Sequence, residues 1–182
     1  MSEEHEMEEL QEAAEHGREQ SKLAPVSFTM AILAVLVAIA ALLGHRAHTE
    51  EVLKQDKATD TWNYYQAKNI RRNLTEQVDE LLKVLPLKDD AAAQALLKKN
   101  EDTIEKHKAD QEKIQEEARA LEAEVDLCTH RANHYDLGET LLEVGLVICS
   151  ITLLTKRRHF WLAGIVFGVA GVIVTTMGIV LH

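Results

Sequence analysis

Residues 26–44 read VSFTMAILAVLVAIAALLG, nineteen positions without a charge. A helix needs about 20 largely apolar residues to cross the hydrocarbon core of a bilayer. The stretch therefore predicts a transmembrane helix. Pro25 stands at its start, where a missing N–H leaves no helical bond unmade. His45, Arg46 and His48 follow at the expected water boundary. A second apolar block fills Leu137 to His182, and Lys156-Arg157-Arg158-His159 divides it into two further spans. Phe160 and Trp161 open the last span, as suits an aromatic belt at a membrane surface.

Working outward from the first span, no breaker intervenes before Pro86, so a helix is expected from about Arg46 to Leu85. Ile70, Leu74, Val78, Leu81 and Leu85 step by 4, 4, 3 and 4, which places them on one face. Pro86, Asp89 and Asp90 mark a turn, with Asp90 suited to cap the next helix. That helix carries the clearest periodicity in the chain. Leu97, Asn100, Ile104, His107, Gln111, Ile114, Ala118, Leu121, Val125, Cys128, Ala132 and Tyr135 step by alternating 3 and 4, as the a and d positions of a coiled coil do. Asn100, His107 and Gln111 interrupt it with polar groups, which weaken packing but fix register. An ordinary amphipathic helix is the plainer alternative. A short turn implies antiparallel arms, which at 1.5 Å per residue would project roughly 60 Å.

The expected fold is therefore all-α, three transmembrane helices with an antiparallel coiled-coil hairpin inserted between the first and second spans. Its expected segments are an acidic cytoplasmic tail (1–24), a first span (25–45), the hairpin (46–136, turning near 86–90), a second span (137–155), a basic turn (156–159) and a third span (160–182).

The net charge of −10 is concentrated early, in Glu3, Glu4, Glu6, Glu8, Glu9, Glu12, Glu15 and Glu19. Such a block self-repels and reads as an interaction tail. It argues against nucleic acid as a partner, which requires a basic footprint. A cleavable signal peptide starts positive, so the first span reads as a retained anchor. Cys128 and Cys149 are too few for a disulfide framework. The basic turn at 156–159 belongs on the cytoplasmic side by the positive-inside rule, which puts the hairpin opposite and the acidic tail in the cytoplasm. In a bacterium this is the inner membrane, with the hairpin periplasmic.

No Ser-His-Asp set, phosphate-binding loop or CxxC pair is present, and a non-enzymatic role is expected. Glu143, inside the second span, is the first candidate for chemistry. A carboxylate in a membrane points to an ion pathway or an oligomer contact, with Ser150 and Thr152 as companions. The plain alternative seats Glu143 at the interface beside Glu139. Gly164, Gly168, Gly171, Thr175 and Gly178 form a small-residue row in the third span, suited to close helix packing within or between subunits. His45 and His48 on one arm, with His130 and His134 on the other, could meet and hold a metal or a haem. On the seam register, however, His130 and His134 fall on outward positions and read as part of a polar collar. Carboxylates along the hairpin alternate with Lys and Arg and read as a solvated surface.

Residues 57–71, KATDTWNYYQAKNIR, carry a distinctive Trp, Tyr pair and Gln-Ala-Lys. With the span ending LLGHRAHTE and the acidic tail, they resemble a bacterial membrane family known as domain of unknown function 4337. The resemblance implies the same three-span layout and brings no activity with it. Physically, Trp62 and Tyr65 share a face, with Gln66 and Lys68 beside them. They are the hairpin's thickest packing point, or a docking surface, since Trp and Tyr anchor interfaces. Antiparallel pairing sets Trp62 opposite Ile114 to Leu121.

The function expected is a homo-oligomeric scaffold or an accessory subunit of a larger membrane complex, with the lipid bilayer as its setting and no resident cofactor. A channel or ion-coupled transport component using Glu143, and a metal- or haem-linked redox accessory, are the alternatives.

Overall fold

A computed structural model describes the backbone of residues 2–84 and 90–180, and the side chains of 23–84 and 91–180. The described residues form three helices and no strand: α1 (Ser2–Val84), α2 (Asp90–Thr155) and α3 (Arg158–Val180). The expected turn at Pro86 and Asp89, the side chain of Asp90, Leu85 and the acidic side chains of the tail lie outside the described residues. Pro25 stands inside α1 rather than at a helix start. Thr29 Oγ1 donates to the Pro25 carbonyl at 2.8 Å.

Each helix contains a stretch long and apolar enough to cross a membrane. The chain divides into two compact units, Met1–His48 with Thr129–His182, and Thr49–Cys128. The first unit is larger than the span boundaries alone suggest, because residues 129–136 pack within it. Ala132 and Tyr135 bury against Ala47 and Leu43.

The first unit is a three-helix bundle. Leu33 and Ala40 of α1 meet Leu142 and Cys149 of α2, with Met30, Leu36, Val37, Leu146 and Trp161 packed around them. Helix α3 turns Gly164, Gly168, Gly171, Thr175 and Gly178 inward. Both cysteines are free and buried, Cys128 at 2% and Cys149 at 0% exposure.

The second unit is a pair of antiparallel arms. Trp62 of α1 bonds to Glu122 of α2, Lys68 and Arg72 to the adjacent Asp110 and Gln111, and Asp79 to Asn100, so the arms run in opposite directions. The anticipated α2 stripe is turned inward throughout. Every position from Leu97 to Tyr135 in the 3–4 series is buried or half-buried, and Gln111, Ile114, Ala118, Val125 and Cys128 are the buried ones within this unit.

The facing stripe on α1 differs from its hydrophobic pattern. The inward positions include Lys54, Ala58, Thr61, Tyr65, Lys68, Arg72, Thr75 and Asp79, again alternating 4 and 3. The aliphatic row Ile70, Leu74, Val78 and Leu81 does share one face, but that face is open, at 59%, 56%, 44% and 60% exposure.

Candidate functional site

Four groups of residues could carry function, and local helix geometry positions each of them. The first is the small-residue seam of the three-helix unit. Gly164 lies against Cys149 and the Gly145 carbonyl, Gly168 against Leu33, Gly171 against Leu142 and the Gly138 carbonyl, and Gly178 against Tyr135 and His134. A Cβ added at Gly171 would stand 2.7 Å from Leu142 Cγ and 2.8 Å from the Gly138 oxygen. Real carbon atoms do not approach so closely, so only glycine lets α2 and α3 come together there. All four glycines singled out in the sequence are therefore spent on contacts inside one subunit. Their partners Gly138 and Gly145 on α2 escaped notice because two isolated glycines form no row of their own.

The second group is the intramembrane polar set, which the structure does not bring together. Glu143 lies exposed on the outside of the bundle, and no hydrogen bond or ion pair reaches it among the described residues. Ser150, half-buried, donates to the Val147 carbonyl at 2.6 Å. Thr152 is nine positions from Glu143, half a helical turn out of phase. It is 2% exposed, on the opposite, buried side of α2. Glu143 and Ser150 thus share the outer face while Thr152 faces its neighbouring helices.

The third group is the histidine collar. His48 Nε2 pairs with Asp136 Oδ2 at 3.0 Å, and both side chains are about half exposed. The His134 ring nitrogen Nδ1 lies 2.8 Å from the His130 carbonyl oxygen, a bond within its own helix turn. His45 and His130 are exposed. Among the described residues no group of three or more His, Cys, Asp or Glu is arranged to hold a metal ion. The Asp136 carboxylate and the His130 carbonyl accept from the His48 and His134 rings and orient them as a polar collar does.

The fourth group is the hairpin seam. Trp62 and Tyr65 pack edge to face, ring centroids 5.5 Å apart, an arrangement worth about 1 kcal/mol beyond the area it buries. Trp62 Nε1 donates to Glu122 Oε1 at 2.8 Å, one residue beyond the anticipated stretch on the opposite arm. Gln66 stays exposed. Lys68 donates to Asp110 at 2.8 Å, and its ammonium lies 5.5 Å from the centre of the Tyr64 ring. That hydrogen bond, more than charge alone, raises the Lys68 pKa and lowers that of Asp110. Lys54 lies between Glu50 at 3.1 Å and Glu124 at 3.3 Å, and the Glu50 hydrogen bond pushes its pKa up.

Deeper in the seam, Arg72 donates to Gln111 Oε1 at 2.7 Å and to Asn69 Oδ1 at 2.9 Å. Gln111 is 4% exposed and its Nε2 has no partner among the described residues. Asn100 donates to Asp79 at 2.6 Å, and Asp79 is only 8% exposed. Sequence reasoning found the α2 halves of these pairs but not Arg72 or Asp79. The only signal for them was a 3–4 stripe of polar residues running beside a more hydrophobic one.

Helices and sites together define an all-α protein with three helices capable of spanning a membrane, as a multi-pass membrane protein has. Residues 22–181 match the family model described as Domain of unknown function (DUF4337), and the chain belongs to that family. Comparison with curated proteins and with solved structures returned no match.

Proposed function

We propose that this chain is a non-enzymatic, self-associating membrane scaffold or accessory subunit, seated in a bacterial inner membrane with its hairpin in the periplasm. The observation that carries the reading is the open row Ile70, Leu74, Val78 and Leu81. The two arms meet through Lys68, Arg72, Asp79, Asn100 and Gln111, and the longest aliphatic row of the first arm faces away from that contact. An apolar row with polar residues on either side is the pattern of a surface that other helices cover. Its 3–4 spacing suits coiled-coil packing against equivalent arms of neighbouring copies.

The test is native mass spectrometry of the chain extracted gently from membranes, beside a Leu74→Glu/Val78→Glu variant. The expected result is a particle of defined stoichiometry that falls to single chains in the variant with its helix content intact. Co-extracted subunits lost with the same substitutions would assign the accessory role. A wild-type chain that is monomeric and alone overturns both.

Glu143 favours a second reading, an oligomeric channel or ion-coupled component. An ionised carboxylate exposed to lipid is costly, and its natural partner would lie on a neighbouring subunit or in a water-filled path. Ion flux in liposomes that is unchanged by Glu143→Gln would remove this reading.

A further inference from the structure

At one end of the bundle α2 passes into α3. A cavity of about 390 Å³ opens there, lined by Pro25, Val26, Thr152, Lys156, Arg158 and Trp161 among others. Three features of it converge on one class of ligand.

The first is Thr152. Threonine in a helix ordinarily returns its hydroxyl to the carbonyl four residues back. Thr29, Thr59, Thr61, Thr75, Thr103, Thr140, Thr155, Thr175 and Thr176 all do so here. Thr152 does not. Its Oγ1 is buried with no partner among the described residues, and the residue is 2% exposed on the cavity wall. An unmade hydrogen bond in such a place costs about 1–3 kcal/mol unless a bound group restores it.

The second is the amino terminus of α3. Arg158 is its first residue, and its opening N–H groups have no helical acceptor. At this terminus Phe160 N reaches the Arg157 oxygen only at 3.3 Å, a long bond. The positive end of the helix dipole therefore lies beside the cavity. The chain reaches it through Lys156, which adopts a left-handed conformation at φ 52° while its N–H still bonds the Thr152 carbonyl at 2.8 Å. This tight reversal brings two cationic side chains, Lys156 and Arg158, to the cavity wall.

The third is the level of the cavity. Trp161 forms a wall and is fixed by donating Nε1 to Thr29 Oγ1 at 3.1 Å. A tryptophan and an arginine at the end of a span mark headgroup depth. Pro25 and Val26 add apolar lining.

We infer that this cavity binds the phosphate of an anionic phospholipid headgroup. Arg158 and the first N–H groups of α3 would hold the phosphate oxygens, Thr152 Oγ1 would donate to one of them, and the first acyl carbons would lie along Val26. The site acts within a single subunit and is independent of self-association.

The full-length chain is stripped of lipid in detergent and examined by native mass spectrometry with added phosphatidylglycerol, phosphatidylcholine or inorganic phosphate. Phosphatidylglycerol is expected to bind, and phosphatidylcholine, which carries the same phosphate beside a choline cation that Lys156 and Arg158 repel, to bind far less. Thr152→Val and Arg158→Gln should each weaken phosphatidylglycerol binding about ten-fold, the loss of one hydrogen bond to a charged group. Arg157→Gln removes the same charge from an exposed neighbour outside the cavity and should leave binding unchanged. Thr152→Ser keeps the hydroxyl and should retain affinity, which separates hydroxyl loss from misfolding. Equal binding of the two lipids, or wild-type affinity in both Thr152→Val and Arg158→Gln, overturns the proposal. Inorganic phosphate that displaces phosphatidylglycerol at millimolar concentration overturns the lipid assignment in favour of a free-phosphate site.

Discussion

The three-helix unit and the hairpin solve the same problem, joining long helices, with opposite materials. In the first, glycine lets backbones touch: Gly171 meets Leu142 and Gly138, and Gly168 meets Leu33. In the second, charged and amide groups bridge the arms while Ile70, Leu74, Val78 and Leu81 stay outside. Lipid offers no hydrophobic drive for helices to associate, so close packing must supply the attraction. Water does offer that drive, and the hairpin leaves part of it unused between its own arms. Glycine contacts close the bundle within one subunit, whereas the hairpin leaves an aliphatic row exposed, the row on which the proposed self-association rests.

The contrast can be broken most severely in the bundle. Gly171→Val forces a side chain into Leu142 and the Gly138 carbonyl. Overpacking of this kind costs about 1–3 kcal/mol or more. Thermal unfolding of the detergent-solubilised chain should fall markedly, and an unchanged melting temperature would show that α2 and α3 can separate freely. In the hairpin, Arg72→Ala strips Gln111 of its partner in a place where Gln111 is 4% exposed. The expected loss is about 1–3 kcal/mol, read as faster amide exchange in both arms. The paired replacement Arg72→Leu/Gln111→Leu sharpens the comparison. A buried polar pair is often replaced by packed aliphatics without loss, so slow exchange should return in the double variant.

Leu74→Ser should have less effect on a single chain, within about 0.5 kcal/mol, because its side chain touches mainly solvent there. Under the proposed self-association, its effect should appear in the particle mass by native mass spectrometry. Lys68 and Asp110 give the smallest effect and one that depends on pH. The Asp110 pKa lies below its ordinary 3.8, so its contribution is present above that value and is lost as pH falls through the lowered one. The Lys68 pKa lies above its ordinary 10.5, so its contribution is present below that value and is lost as pH rises through the raised one. Exchange near these residues should be insensitive to their ionisation across neutral pH and quicken at both extremes. Asp110→Asn should remove the acid limb.

Much of this was legible in the sequence, for reasons particular residues make plain. The spans were visible because nineteen uncharged residues from Val26 to Gly44 have few other uses. The α2 seam was visible because Ile114, Ala118, Leu121, Val125 and Cys128 keep a strict 3–4 alternation. The α1 seam was hidden because its inward residues are Lys54, Lys68, Arg72 and Asp79, which a hydrophobic pattern assigns to solvent. Their burial depends on partners across the seam that no local window contains. Thr152 was noticed as a polar residue in a span, but Glu143 was the company expected for it. Only the half-turn between them shows that they face different surroundings.

The burial of Cys128 and Cys149 has a practical side. Thiol reagents that stay in water find neither sulfur in the folded chain. The native protein is thus silent to an impermeant maleimide, and its own cysteines need not be removed. One cysteine placed at exposed Gln66 or Arg157 becomes the only reporter, and labelling in intact cells reads directly which side of the membrane each faces.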